Sequence, residues 1–149
     1  GLVGSEMCIR DRSSTSEQTV SASALRSFCE LAKVDHLIYK FRVYKVLFGI
    51  SNESESSFAL HTHCRLGKWY YEGEGKTSYA QLPGYRDIEN PHKQVHDAAF
   101  AALRAHAQGD SATLLKEVAA MEAASLIVQD CLEHMAESGE RDTRLLQCH

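Results

Sequence analysis

Ser21 to Ile50 reads SASALRSFCELAKVDHLIYKFRVYKVLFGI. Its apolar and core-type residues fall at Leu25, Phe28, Ala32, His36, Tyr39, Val43, Val46 and Ile50, each three or four positions from the last. That step keeps side chains on one face of an α-helix, so the stretch predicts a single amphipathic helix of about eight turns. Only two prolines occur in the chain, which permits long helices. His36 stands on the buried face, between Ala32 and Tyr39.

Downstream, Ser51 to Ser57 is rich in serine and glutamate and reads as a solvated loop. A second helix is expected from Phe58 to about Glu72, with Leu60, Cys64, Gly67 and Tyr71 on its inward stripe. Gly73, Gly75 and Pro83-Gly84 mark a long connection with room for a short helical turn. Asn90-Pro91 suits the start of a third helix, because asparagine caps free N–H groups and proline fits the first turn. That helix continues to Gln108 and stops at Gly109. Asp110 or Ser111 caps a fourth, whose stripe is Leu114, Val118, Met121, Ser125, Val128, Leu132 and Met135, with Gly139 as its stop. No strand-like alternation competes. The fold class expected is all-α: a four-helix bundle with a long, partly helical connection between helices two and three.

Upstream of Ser21 there is no usable periodicity. Residues 1–20 read as a disordered leader and linker, and Ser13-Ser14-Thr15-Ser16 as its polar part. The string from Gly4 to Arg12, GSEMCIRDR, resembles read-through of sequencing-adapter DNA, so residues 1–12 are set aside and Cys8 is given no role. The bundle is assigned to residues 21–139, and residues 140–149 to a disordered tail.

Composition narrows the function. A length of 149 residues suits one compact domain with loose ends. A net charge of −4 and a pI near 6.1 argue against a nucleic-acid surface, which needs a clustered basic face. No run approaches the roughly 20 apolar residues that cross a bilayer, and no secretory signal opens the chain. A cytoplasmic piece without direct membrane contact is the expectation. Five cysteines, an odd and unpaired set in a chain long enough to fold without staples, do not suggest a disulfide framework.

The polar residues on the inward stripes carry the chemistry. His92 and His96 are four apart on the third helix and project from the face that continues through Ala99 and Leu103. His36 comes from the first helix and Cys64 from the second. Each feature alone has an ordinary explanation: a satisfied core histidine, a small buried thiol, a surface histidine pair. Together they send three imidazoles and one thiol into a core with little else polar. Burying such groups without partners costs a few kcal/mol each. A metal ion gives every one a bond, and zinc takes nitrogen and thiolate sulfur in a tetrahedron. Four protein ligands close that shell, leaving no position for an activated water, so an enzyme is not expected.

The stretch Cys64-Arg65-Leu66-Gly67-Lys68-Trp69 adds a resemblance. With His36 before it and His92-Lys93-Gln94-Val95-His96 after it, the chain resembles the chemoreceptor zinc-binding domain family, whose pattern is a histidine, then Cys-x-(apolar)-Gly-x-(Trp or apolar), then His-x-x-x-His. The resemblance covers roughly Phe28 to Leu103. Lys33-Val34-Asp35-His36 and Trp69-Tyr70-Tyr71-Glu72-Gly73 look like the chemoreceptor branch, while Ile38 stands where many members carry an aromatic residue or leucine.

This resemblance implies a Zn2+ cofactor held by His36, Cys64, His92 and His96. It also implies that Gly67 lets two helices approach closely and that Trp69 packs beside the site and restricts water. His61, one turn from Cys64, is either partly exposed like His63 or a reserve ligand. His106, His134 and His149 have no partner pattern, and Cys29, Cys131 and Cys148 are assigned no role.

Members of the family sit at an end of bacterial chemoreceptors or beside diguanylate cyclases and pair as homodimers. Zinc occupancy alters the partner's output, and some members are held to detect oxidants such as hypochlorous acid through the ligand cysteine. The expected function is therefore a zinc-binding sensory domain in bacterial chemotaxis, with its upstream signalling domain missing from this chain. The alternative is a purely structural zinc site stabilising a dimeric helical bundle. A zinc hydrolase of the His-Glu-x-x-His type is disfavoured, because Lys93 occupies the place of the general base.

Overall fold

The third and fourth helices form a hairpin around Gly109. In the computed structural model, which describes the backbone of residues 2–141 and the side chains of residues 16–141, the α-helices are α1 (Leu2–Leu47), α2 (Arg65–Tyr71), α3 (Glu89–Gln108) and α4 (Ser111–Arg141). Gly109 adopts φ 71°, the left-handed region that glycine tolerates best, and its N–H closes the last turn of α3 on the Ala105 and His106 carbonyls. Asp110 then caps α4, its carboxylate accepting from the Thr113 N–H at 3.1 Å. So short a link makes α3 and α4 antiparallel neighbours.

Ion pairs fix the direction of α1. Arg26 reaches Glu133 and Glu140, both at 2.8 Å, and Lys33 reaches Glu133 at 2.7 Å. Further along α1, Lys40 and Tyr44 both meet Glu122, at 3.3 and 2.8 Å. Rising numbers on α1 meet falling numbers on α4, so these two are antiparallel and α1 runs parallel to α3.

Leu25, Val43, Val95, Met121, Val128, Leu132 and Met135 fill the space between the three long helices and are essentially inaccessible. Each such side chain contributes about 1.5–3 kcal/mol of transfer free energy. The fold is all-α, with no strand among the described residues.

The long connection between α2 and α3 is partly helical, with a π-helical turn at Gly75–Tyr79 and a 3₁₀ turn at Arg86–Ile88. Tyr79, Leu82, Tyr85 and Ile88 bury it against the bundle. Trp69 stacks on Phe28 of α1 with ring centres 4.3 Å apart, and on Tyr79 at 5.9 Å. A Cβ at Gly75 would strike the Trp69 ring, so only glycine lets the connection cross there.

Several boundaries differ from expectation. α2 has 7 residues and starts at Arg65, not Phe58. Residues before it form a 3₁₀ turn at Glu55–Ser57 and an irregular loop. Phe58 is buried there and Leu60 half-exposed, the reverse of a helical stripe through Leu60 and Cys64. The sequence expected to be a leader is continuous with α1, because between Gly4 and Gly49 no glycine or proline stops the helix. Ile50 lies beyond the end of α1 and is 74 % exposed. α3 begins at Glu89, one residue before Asn90. Gly139 does not stop α4: it is buried inside a helix that runs to Arg141. The side chain of Cys8, and residues 142–149 of the expected tail with Cys148 and His149, lie outside the described residues.

Candidate metal centre

His36 and His96 are held in one tautomer by backbone carbonyls. On α1, His36 Nδ1 lies 2.8 Å from the Ala32 carbonyl oxygen, one turn earlier. On α3, His96 Nδ1 lies 2.8 Å from the Ala59 carbonyl oxygen in the loop before α2. A carbonyl oxygen only accepts, so each Nδ1 carries the proton and each Nε2 presents a lone pair. Both Nε2 atoms are buried and have no hydrogen-bond partner. Buried lone pairs left unmet in this way cost free energy unless something binds them.

His92, one turn before His96 on α3, points its Nε2 at Cys64 Sγ from 3.2 Å. Cys64 is the N-cap residue of α2 rather than a member of its stripe. Burial, the largest influence, pushes its thiol pKa up, while the N–H groups of Gly67 and Leu66 at the start of α2 pull it down. The same burial drives the imidazoles toward neutrality. His92 is pushed down to about 2, with His36 and His96 as further causes. His96 is pushed down to about 4, and His36 is lowered as well.

The ligand atoms of His36, Cys64, His92 and His96 all lie within 4.8 Å of one another. Ring centres are 4.9 Å apart for His36–His92 and His92–His96, and 5.8 Å apart for His36–His96. Two imidazoles bound at about 2.0–2.1 Å to one tetrahedral zinc place their ring centres roughly 5 Å apart. Neutral rings, fixed tautomers, converging lone pairs and this spacing fit one metal ion.

Residues 36–103 match the family model described as the chemoreceptor zinc-binding domain, a segment that begins at His36 and contains all four residues. Over that segment the chain matches the chemoreceptor zinc-binding domain family. No curated protein and no solved structure matches the chain significantly. The fold thus brings together the four residues expected from sequence, on α1, α3 and the N-cap of α2, placed to form one metal site.

Gly67 acts differently from expectation. A Cβ there would collide with the His61 carbonyl, so the glycine admits the loop at His61 and Thr62 onto the first turn of α2, not one helix onto another. Trp69 makes its ring contacts with Phe28, Tyr79 and Tyr85, and none of the four ligands is among them. His61 is half-buried next to His92, while His63, His106 and His134 are exposed. Cys29 is buried in the core, and burial pushes its thiol pKa to about 12.

Sequence reasoning missed three partners. The Ala32 carbonyl follows from helix geometry, four residues before His36. The Ala59 carbonyl has no sequence signal. Asp35 pairs with Arg65 at 3.2 Å, and these two residues, with His36, Tyr39, Cys64 and His96, line a cavity of about 40 Å³ beside the thiol. Among the described residues, no helix is long and apolar enough to cross a membrane.

Proposed function

We propose that this domain binds zinc through His36, Cys64, His92 and His96 and acts as a sensory module of a bacterial chemotaxis protein, lodged in the cytoplasm. One observation carries the reading: the four ligands are unequally held. The three histidines are buried on long helices, whereas Cys64 is half-buried at the start of a helix of 7 residues. Cys64 is thus the most solvent-accessible of the four and sits on the shortest element, which favours a sensing role over a purely structural one.

Bound zinc would keep Cys64 as a thiolate and tie the loop and α2 to α1 and α3. Such a thiolate takes chlorine from hypochlorous acid with release of hydroxide, and water then displaces chloride from the sulfur to leave sulfenic acid. The oxidised sulfur is a poorer ligand, so α2 and the loop before it are released to repack. Four protein donors complete a tetrahedron, which supports a regulatory role over a hydrolytic one. The output belongs to an upstream receptor or cyclase domain joined to α1.

Hydrogen exchange in residues 51–71 tests the switch. Stoichiometric hypochlorous acid is expected to lower protection there in zinc-loaded protein while α3 and α4 stay protected. Unchanged protection with Cys64 demonstrably oxidised would refute it.

We further propose that two copies pair through α1. Leu31, Val34, Leu37, Ile38, Phe41 and Phe48 are exposed, Phe41 at 63 % and Phe48 at 76 %. Leu31, Val34, Ile38, Phe41 and Phe48 follow the alternating step of three and four that packs helix on helix, with Lys45 filling the remaining position. At roughly 150–200 Å² per full side chain these exposures amount to about 600 Å² per copy, near the lower bound for a stable pair.

A further inference from the structure

His61 stands beside the centre without belonging to the four-ligand set. Its ring centre is 5.8 Å from that of His92 and 6.5 Å from that of His96. His36 and His96, both in the set, are themselves 5.8 Å apart. His61 therefore exceeds the spacing of two imidazoles on one zinc ion by about 1 Å toward His92 and about 1.5 Å toward His96.

Its place in the chain is as telling as its distance. His61 and Cys64 share one turn, in which the His63 and Cys64 N–H groups both donate to the Leu60 carbonyl, at 3.0 and 3.2 Å. Cys64 Sγ lies 3.6 Å from the His61 carbonyl oxygen. That backbone is pinned against α2 by the absent side chain of Gly67. The imidazole is half-buried and packs edge-on to Tyr71 at 5.9 Å, so it can turn about its own bonds as the turn re-forms.

We propose that His61 is the alternate fourth ligand, taking the coordination place of Cys64 when the thiolate is lost. The proposal rests on the zinc-site reading above and deepens it. Losing the thiolate would then exchange one sulfur donor for one nitrogen donor, with zinc retained and the His61–Cys64 turn re-formed. Imidazole is a normal zinc donor, and a four-nitrogen shell remains tetrahedral.

Zinc dissociation constants, measured by competition with a chromophoric chelator, test this in wild type, H61A, C64A and H61A/C64A. Cobalt(II) absorption gives a second readout. H61A is expected to change the wild-type constant by less than about threefold, and to weaken zinc binding in the C64A background by at least about thirtyfold. Cobalt-loaded C64A should lose its sulfur charge-transfer band yet keep intense tetrahedral d–d absorption, which collapses in the double variant.

An equal cost of H61A in both backgrounds would mean that His61 only tunes the site, and would overturn the proposal. So would no cost in the C64A background, where a water would then be the fourth donor. C64S, with circular dichroism to check folding, repeats the comparison in a milder background. If wild type binds no zinc, the site reading itself fails. If wild type binds zinc and neither Cys64 variant does, the alternate ligand alone is refuted.

Discussion

His92 Nε2 lies 3.2 Å from Cys64 Sγ, joining residues 28 apart in sequence across the gap between α3 and the start of α2. The imidazole is carried by a helix of 20 residues, and the thiol by the turn that opens one of 7.

Replacing His92 should therefore empty the site. His92→Ala removes one of three nitrogen donors from helices that cannot close the gap. Zinc content by mass spectrometry should fall from near one per chain to a small fraction, with affinity weakened at least about 100-fold. Zinc retention at wild-type affinity would exclude His92 as a ligand.

Zinc also stabilises the fold if these residues hold it. At a free zinc concentration of about 1,000 times Kd, binding adds roughly 4 kcal/mol. Chelator should lower the melting temperature of wild type and leave that of His36→Ala unmoved. A wild-type melting curve indifferent to chelator would contradict the assignment.

Gly67→Ala places a Cβ against the His61 carbonyl. The loop must back away from α2, at about 1–3 kcal/mol by analogy with overpacked cores. Chemical denaturation should show that loss, and zinc affinity should drop with it because Cys64 is carried on the same turn. A variant as stable and as tightly zinc-binding as wild type would show that the loop yields freely.

Acid should weaken the α1–α4 contact. Hydrogen bonds from Arg26, then Lys33, hold the Glu133 carboxyl down at about 2 from an ordinary 4.5. Its stabilisation is complete above about 4.5 and is lost as pH falls toward 2. At 38 % exposure solvent screening limits the effect to about 0.5–1 kcal/mol. Glu133→Gln should lower the melting temperature at pH 7, with the difference from wild type shrinking as the pH approaches 3. A difference constant from pH 7 to 3 would rule out this ion pair as the source.

Pairing through α1 is tested by Ile38→Glu and Phe41→Glu. Both put a charge into the exposed stripe without touching the core side of the helix. Sedimentation velocity should show wild type as dimer and both variants as monomer. A monomeric wild type at tens of micromolar would dispose of the interface.

The long helices were legible because their apolar residues recur at three and four, and burial follows that period from Leu25 to Val46 and from Met121 to Met135. Histidines on those stripes inherit their direction, which is why the sequence alone aims His36, His92 and His96 inward. Helix two misled because Leu60, Cys64, Gly67 and Tyr71 mimic the period across a loop. Cys64 still reaches the site, from a cap position, because Gly67 lets the loop lie down on α2. The Ala59 carbonyl had no signal at all, since a backbone acceptor is supplied by any residue whose loop happens to pass.

Ala59 and Cys64 share that loop, one orienting His96 and the other offering its sulfur. A shift that frees the thiol also strains the brace on a histidine across the gap, and reseating either favours reseating both. Two fastenings on one strap tend to let go together. Such an arrangement makes loss of the thiol and loss of the His96 brace a single step, so the loop has two seatings and no stable halfway position.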